Sequence, residues 1–247
     1  MIYKLDPDII GFPDPRKGDE DGIFAVGGDL SKERLILAYC NGIFPWYAYR
    51  KEDNNFQDEN GEPWIQWWCP MKRFVIFPEE IHVSHSMRTL FRKQRYQFSF
   101  NQAFRQVMGY CGGLRDHERG AWLGPHIIEA YTKLHDAGYC TSVEVWDTMP
   151  DEDAKPAGRD DQEWYYNEDG YRLVGGLYGE TIGKCFIGES MFSLVPSGSK
   201  MALIFLAKWM RKEGLYMIDC QLETSHLKSM GGRYIDYDEY MDILHKQ

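Results

Sequence analysis

A change of hydrophobic period at Tyr139 constrains this chain more than any other feature of its 247 residues. Before it, Pro125 stands in a first turn, Ile128, Tyr131, Leu134 and His135 form a stripe at helical spacing, and Gly138 closes the run, which predicts a helix over 125–137. After it, apolar residues alternate. Thr141-Ser-Val-Glu-Val-Trp146 reads as a strand, and the stretches 172–179 and 184–192 read as two more, joined by a turn at 180–183. Ser199 opens an amphipathic helix through Leu203, Leu206, Trp209 and Met210 to Gly214. The run 215–221 reads as a buried strand, and Asp236 with Glu239 makes a capping box for a last helix. The order helix, three strands, helix, strand, helix is that of an α/β (α+β) domain with a mostly antiparallel sheet of acyltransferase-like type.

Upstream, Ser31 is the expected N-cap of a short helix that stops at Gly42. The turn Gly42-Ile-Phe-Pro-Trp46 is apolar enough to need something to lie against. Further helices are expected near 86–94 and 101–110, the second with Asn101 as its cap. No apolar run approaches the ~20 residues of a spanning helix, and the N-terminus has no signal-peptide core, so a soluble protein that is not exported is expected. Six cysteines, each at least 29 residues from the next, read as reduced thiols. His82 and His85 have no third ligand near them in sequence, so no metal site is expected.

The net charge of -10 at first argues against a polyanionic partner. It is unevenly spread. Residues 50–62 carry five acids against Arg50 and Lys51, and residues 147–170 carry nine against Lys155 and Arg159, so these two Gly- and Asn-rich stretches hold the whole imbalance and read as surface loops. Between Lys72 and Arg105, seven bases (Lys72, Arg73, Arg88, Arg92, Lys93, Arg95, Arg105) oppose only Glu79 and Glu80. That stretch is either a solvated face or a phosphate-contacting surface. Trp46, Trp64, Trp67, Trp68 and Trp122 lie near it or flank it, as base-stacking platforms or as core.

Chemistry concentrates on the run Met217-Ile-Asp-Cys-Gln221, where a period of two sets Asp219 and Gln221 on one face and Ile218 and Cys220 on the other. Two polar side chains at the end of an apolar strand require partners, which a neighbouring loop or a substrate amine would supply. Glu189 is a second isolated acid, with Gly188 beside it to permit close backbone approach; a salt bridge or recognition of a cation would account for it. Leu177, Phe186, Leu203, Leu206, Met210 and Ile218 read as core or as the lining of a crevice for a large apolar group.

In order along the chain, Val26-Gly-Gly-Asp-Leu30, Asn41-Gly-Ile-Phe-Pro-Trp46, Trp67-Trp-Cys-Pro70, Ser84-His-Ser-Met87, Ser142-Val-Glu-Val-Trp146, Leu173-Val-Gly-Gly-Leu-Tyr-Gly179, Gly188-Glu-Ser-Met-Phe-Ser193 and Ile218-Asp-Cys-Gln221 resemble the bacterial leucyl/phenylalanyl-tRNA–protein transferase family. The likeness runs from about residue 10 to 235 and lapses at the two acidic stretches, which read as insertions. It implies a small N-terminal domain (1–70) on a GNAT-like aminoacyl-transferase domain (71–247). It also implies a monomeric cytoplasmic enzyme, without cofactor or metal, that moves Leu or Phe, and by pocket chemistry Met, from Leu-tRNA or Phe-tRNA to proteins with N-terminal Arg or Lys, marking them for N-degron proteolysis. By the resemblance, Trp46 and Trp122 hold the 3′-terminal adenosine, Leu177, Phe186, Leu203 and Ile218 form the side-chain pocket, and Asp219, Gln221 and Glu189 are catalytic. Two rivals are an acetyl-CoA-dependent N-acetyltransferase of the same fold, for which 195–199 is a poor pyrophosphate turn, and a noncatalytic tRNA-binding or degradation adaptor.

Overall fold

The alternating stretches pair into sheets because each has one face that only another layer can take out of water. The computed structural model describes residues 2–19, 22–114, 122–157 and 162–246. Its strands are β1 (Tyr3–Leu5), β2 (Ile23–Gly27), β3 (Phe44–Pro45), β4 (Gln66–Trp68), β5 (Lys72–Ile76), β6 (Tyr96–Phe100), β7 (Cys140–Asp147), β8 (Arg172–Ile182), β9 (Cys185–Ser193), β10 (Met217–Asp219) and β11 (Arg233–Asp236). The helices are α1 (Lys32–Cys40), α2 (His85–Arg92), α3 (Phe104–Gly113), α4 (Pro125–Asp136), α5 (Gly198–Glu213), α6 (Ser225–Ser229) and α7 (Tyr237–Leu244). The first four strands make a sheet in the order β1-β2-β4-β3, and the other seven make a sheet in the order β11-β5-β10-β9-β8-β7-β6. The larger sheet is antiparallel except for β9 and β10, which run parallel because α5 crosses over between them. The expected α+β class with a mostly antiparallel sheet is the one the chain adopts.

Each face of the large sheet carries its own core. Val143, Val145, Leu177, Phe186 and Ile218 pack with Leu203, Leu206 and Met210 of α5. Trp146, Leu173, Tyr178, Ile187 and Phe192 face the other way, against α3, α4, α1 and the small sheet. Burying a Leu or Phe side chain contributes roughly 1.5–3 kcal/mol, so this two-sided sandwich is where most of the stability lies. Where α5 begins, a Cβ on Gly175 of β8 would sit 2.5 Å from the backbone of Gly198, so only glycine lets the start of α5 rest on the sheet.

Several local expectations need correction. Asn101 does not cap α3; it has φ +60° and its Oδ1 accepts the N–H of Ser142, which pins the loop to β7. Asp236 is the N-cap of α7 but makes no side-chain cap bond. Residues 180–182 belong to β8, leaving a tighter turn at Gly183 and Lys184. Gly188 is not where the backbones crowd; a Cβ on Gly179 opposite would lie 2.0 Å from the carbonyl of Ile187.

The charged stretches also differ from a purely surface reading. Asp147 is 1% exposed in β7, bound by Arg95 at 2.7 and 2.8 Å and flanked by Arg172. Beyond it, Trp164 lies under the Arg172 guanidinium at 4.1 Å, donates to the Ala154 carbonyl and packs on the core. The loop is therefore anchored at Asp147, Ala154 and Trp164, and Gly158, Arg159, Asp160 and Asp161 fall outside the described residues. Of the seven bases between 72 and 105, Arg73 is buried and Arg95 is committed to Asp147, so Lys72, Arg88, Arg92, Lys93 and Arg105 are the exposed ones. Among the described residues, no helix is long and apolar enough to cross a membrane.

Candidate active site

A cleft of about 620 Å³ opens where the end of the small sheet meets the β8, β9, β10 and α5 side of the large one. Eight of the nine side chains singled out from the sequence line it: Trp46, Trp122, Leu177, Phe186, Glu189, Leu203, Ile218 and Gln221. They come from six different stretches of chain. Asp219, the ninth, does not line it.

The floor is apolar because neighbouring strands present the same face. Leu177 of β8, Phe186 of β9 and Ile218 of β10 are between 1% and 3% exposed, and Leu203 closes the floor from α5. At the mouth, Trp46 follows β3, with its N–H tied to the Gln66 carbonyl and its indole 37% exposed. Trp68 supports it, donating its indole N–H to the Trp46 carbonyl at 2.8 Å with the rings 5.5 Å apart. Trp122 is half-buried across the cleft, just before α4. Trp67 is core rather than platform, fully buried with its N–H on the Gly27 carbonyl, and Trp64 lies under the Lys4 ammonium.

The strand β10 ends at Asp219, and this overturns the expectation that Asp219 and Gln221 share a face. Gln221 lies past the strand with φ +56°, a left-handed turn that swings its side chain to the Ile218 side. Asp219 keeps the strand geometry and points away from the cleft into a fully buried ion pair. Arg73 Nε and Nη2 reach its carboxylate at 2.9–3.0 Å, and the Tyr240 hydroxyl donates to Oδ2 at 2.9 Å. The Arg73 guanidinium is sandwiched between the rings of Phe44 and Tyr240, each 4.8 Å away. Asp219 is tied to the cleft through Gln221, whose backbone N–H donates to Oδ1 at 2.9 Å.

Glu189 is aimed by a bulge. The β8–β9 pairing runs Tyr178 to Ser190 and then Gly179 to Gly188, so Glu189 is the extra residue on β9. Its carboxylate accepts from the hydroxyls of Tyr39 at 3.0 Å and Tyr131 at 3.3 Å, and from the Gln221 side-chain amide at 3.3 Å. The two tyrosine hydroxyls also bond each other. Burial pushes the Glu189 carboxyl up to about 7, with the Asp219 charge adding to the shift and the hydroxyls of Tyr39 and Tyr131 opposing it. Because the Gln221 amide nitrogen is spent on Glu189, its carbonyl oxygen is left to accept an N–H from a guest.

Three participants were not singled out from the sequence. Arg73 reads as one of the bases of the 72–105 stretch, Tyr131 as part of the stripe over 125–137, and Tyr39 lies in α1 with no mark of its role. The available signal was a long polar group inside each apolar stretch, which requires a buried partner without saying which.

The descriptions of two family models match the chain: "Leucyl/phenylalanyl-tRNA protein transferase" over 75–151 and 162–245, and the N-terminal domain of the same family over 28–71. The first breaks only across the second acidic stretch. The second runs through 50–62 unbroken, so the lapse expected there is not found. A protein named leucyl/phenylalanyl-tRNA–protein transferase from Nitrosomonas eutropha is 42% identical over 92% of this chain and 83% of its own length. Those of the same name from Flavobacterium johnsoniae and Azotobacter vinelandii are 41% and 40% identical over 98% and 99% of this chain and 99% and 94% of theirs. With both models matched in order and relatives aligned over nearly the full length, the chain belongs to the leucyl/phenylalanyl-tRNA protein transferase family.

Proposed function

We propose that this protein transfers Leu or Phe, and less readily Met, from aminoacyl-tRNA to the α-amine of proteins that begin with Arg or Lys, marking them for N-degron proteolysis. The observation that carries this reading is one cleft in which an apolar floor, two indoles at the mouth and the Glu189–Gln221 pair meet, in a chain of this family. Trp46 and Trp122 stack on the 3′-terminal adenosine, which every tRNA shares, and the exposed bases of 72–105 meet phosphate without reading sequence. Selection falls to the floor. A buried CH₂ contributes ~0.8 kcal/mol, so Leu is favoured over Val by about fourfold and over Ala by far more.

The reaction exchanges an ester for an amide, so its demands are positioning and proton handling. The Gln221 side-chain carbonyl accepts one N–H of the attacking amine and directs its lone pair at the ester carbon. Glu189 lies beside it to take the proton and to favour a cationic acceptor. Asp219 acts at one remove, as the group that holds Gln221 in its turn. We place the protein in the cytoplasm as a monomer, with residues 1–70 and 71–247 as its two domains and the second of GNAT-like type.

Against the acetyl-CoA reading stands the start of α5. The N–H groups of Gly198, Ser199 and Met201 are already bonded to the Val195 carbonyl, the Ser193 hydroxyl and the Ser197 carbonyl, which leaves few donors for a pyrophosphate. The test is transfer of labelled Phe from Phe-tRNA to an Arg-starting peptide, run beside the same peptide with acetyl-CoA. Label on the peptide is expected. Acetylation alone would select the acetyltransferase, and tRNA binding without either product would select the adaptor.

A further inference from the structure

Glu180 takes no part in the reaction outlined above, yet it is 1% exposed. It lies on β8 one residue beyond the bulge that aims Glu189. One of its oxygens accepts the Cys140 thiol at 3.3 Å, while Oε2 is buried with no donor among the described residues. Glu180 pairs with Ile187, so Glu189 stands diagonally across the bulge from it, with Glu180 buried and Glu189 half-buried beside it. Two carboxylates offer only acceptors, so two buried next to each other require a proton on one. The groups that face the two acids are Cys140 from β7, Tyr178 from β8, Tyr39 from α1, Tyr131 from α4 and Gln221 after β10; the Asp219 charge also acts on Glu189. None of these is a cation, and Asp219 is matched by Arg73. In such surroundings two carboxyls do not both ionise. Burial and the Glu189 charge hold Glu180 well above the usual carboxylate range, in keeping with the geometry.

We propose that Glu180 and Glu189 form a carboxyl pair that holds one proton between them at neutral pH, with Glu189 meeting the substrate and Glu180 acting as its positioning residue. This rests on the aminoacyl-transfer reading. As the neutral acceptor amine forms its C–N bond to the ester carbon, Glu189 takes one N–H proton and the pair holds two. As the C–O bond to the ribose breaks, the pair returns one proton to the departing oxygen, which leaves as a hydroxyl. The pair ends as it began, and nothing is oxidised or reduced. The arrangement supplies the proton for the leaving group from the same place that receives the proton of the nucleophile.

The test has two arms. The first is the pH dependence of kcat/KM for Phe transfer, from about pH 5.5 to about pH 8.5, in the wild type, Glu180→Gln and Glu180→Asp. Glu180→Gln removes the acid whose proton holds Glu189 down and is expected to move the acid limb up by about half a pH unit or more, with KM for aminoacyl-tRNA changed by less than about twofold. Glu180→Asp keeps a second carboxyl and is expected to shift the limb less. An acid limb that stays in place in Glu180→Gln overturns the pair while leaving the transfer reading intact. The second arm needs no variant to fold: infrared titration of the wild-type protein is expected to show a protonated carboxyl at pH 7 that disappears in alkali. A wild-type protein with no protonated carboxyl at pH 7 overturns the proposal whether or not the protein transfers Phe. Absence of transfer with that band present retires the aminoacyl-transfer reading alone.

Discussion

The backbone N–H of Gln221 donates to Asp219 Oδ1 at 2.9 Å, while the Gln221 side chain turns the other way and meets Glu189 at 3.3 Å. One residue thus links a buried ion pair to an acid bordering the cleft. The link assigns different tasks to two side chains that sit two residues apart, and it separates their expected mutant behaviour.

Breaking the Arg73–Asp219 pair from one side leaves an uncompensated charge in the core, which costs about 3–5 kcal/mol. Asp219→Ala is therefore expected to lower both the urea midpoint and kcat. The double variant Arg73→Met with Asp219→Leu is expected to regain much of the stability and none of the turnover. Urea unfolding of Asp219→Ala and of the double variant, each beside its kcat, checks this; full turnover in the folded double variant would remove Asp219 from the mechanism.

Gln221→Ala removes the acceptor for the amine without touching the indoles or the apolar floor. A hydrogen bond to a charged or reacting group contributes about 1.5–3 kcal/mol, so kcat is expected to fall by about 10- to 150-fold with tRNA affinity unchanged. Single-turnover rates and a filter-binding titration with the same aminoacyl-tRNA separate the two quantities.

Trp46→Ala is expected to behave in the opposite way. Loss of one stacking platform, ~1–3 kcal/mol, raises Kd for aminoacyl-tRNA by roughly 5- to 150-fold, and Trp46→Phe recovers part of it. Saturating turnover should hardly change. The same binding experiment, repeated from about 50 to about 200 mM salt, should show affinity falling steeply as counterions are released. A Kd indifferent to salt would argue that the exposed bases of 72–105 do not meet the tRNA.

Asp147 offers a pH test that leaves the cleft alone. Its carboxyl is held below the ordinary 3.8, where burial is outweighed by the Arg95 hydrogen bonds and the charges of Arg95 and Arg172. A depressed carboxyl contributes stability that is present above the unfolded pKa and is lost as pH falls through the lower native value. Asp147→Asn should therefore lower the urea midpoint at pH 7, by an amount corresponding to about 1–2 kcal/mol, because Arg95 is 37% exposed and water screens the pair. The difference from wild type should shrink below about pH 4. A difference independent of pH would mean that the aspartate acts by shape and not by charge.

Much of the site was legible because it obeys short-range periodicity. Leu177, Phe186 and Ile218 reach one floor because each occupies the α5-facing position of its strand, and Leu203 because the helix stripe must face them. Asp219 was misread for the same reason. The period of two was carried past the end of the strand, whereas the backbone turns left-handed at Gln221. Nothing in residues 217–221 announces that turn, since glutamine there carries no local preference for it.

By itself, the sequence determined the order of the elements over 125–221, the mostly antiparallel sheet and the apolar faces, all properties of neighbours a few positions apart; the six strands before Tyr139 carried no such period, and the indoles of Trp46 and Trp122 were marked only by the family resemblance. Tertiary structure alone decided that Arg73, 146 residues away, would take Asp219, that a bulge would aim Glu189, and that Glu180 would be buried diagonally across that bulge. A buried charge must find its partner wherever the fold supplies one, and that choice is made by three-dimensional packing and not by spacing along the chain.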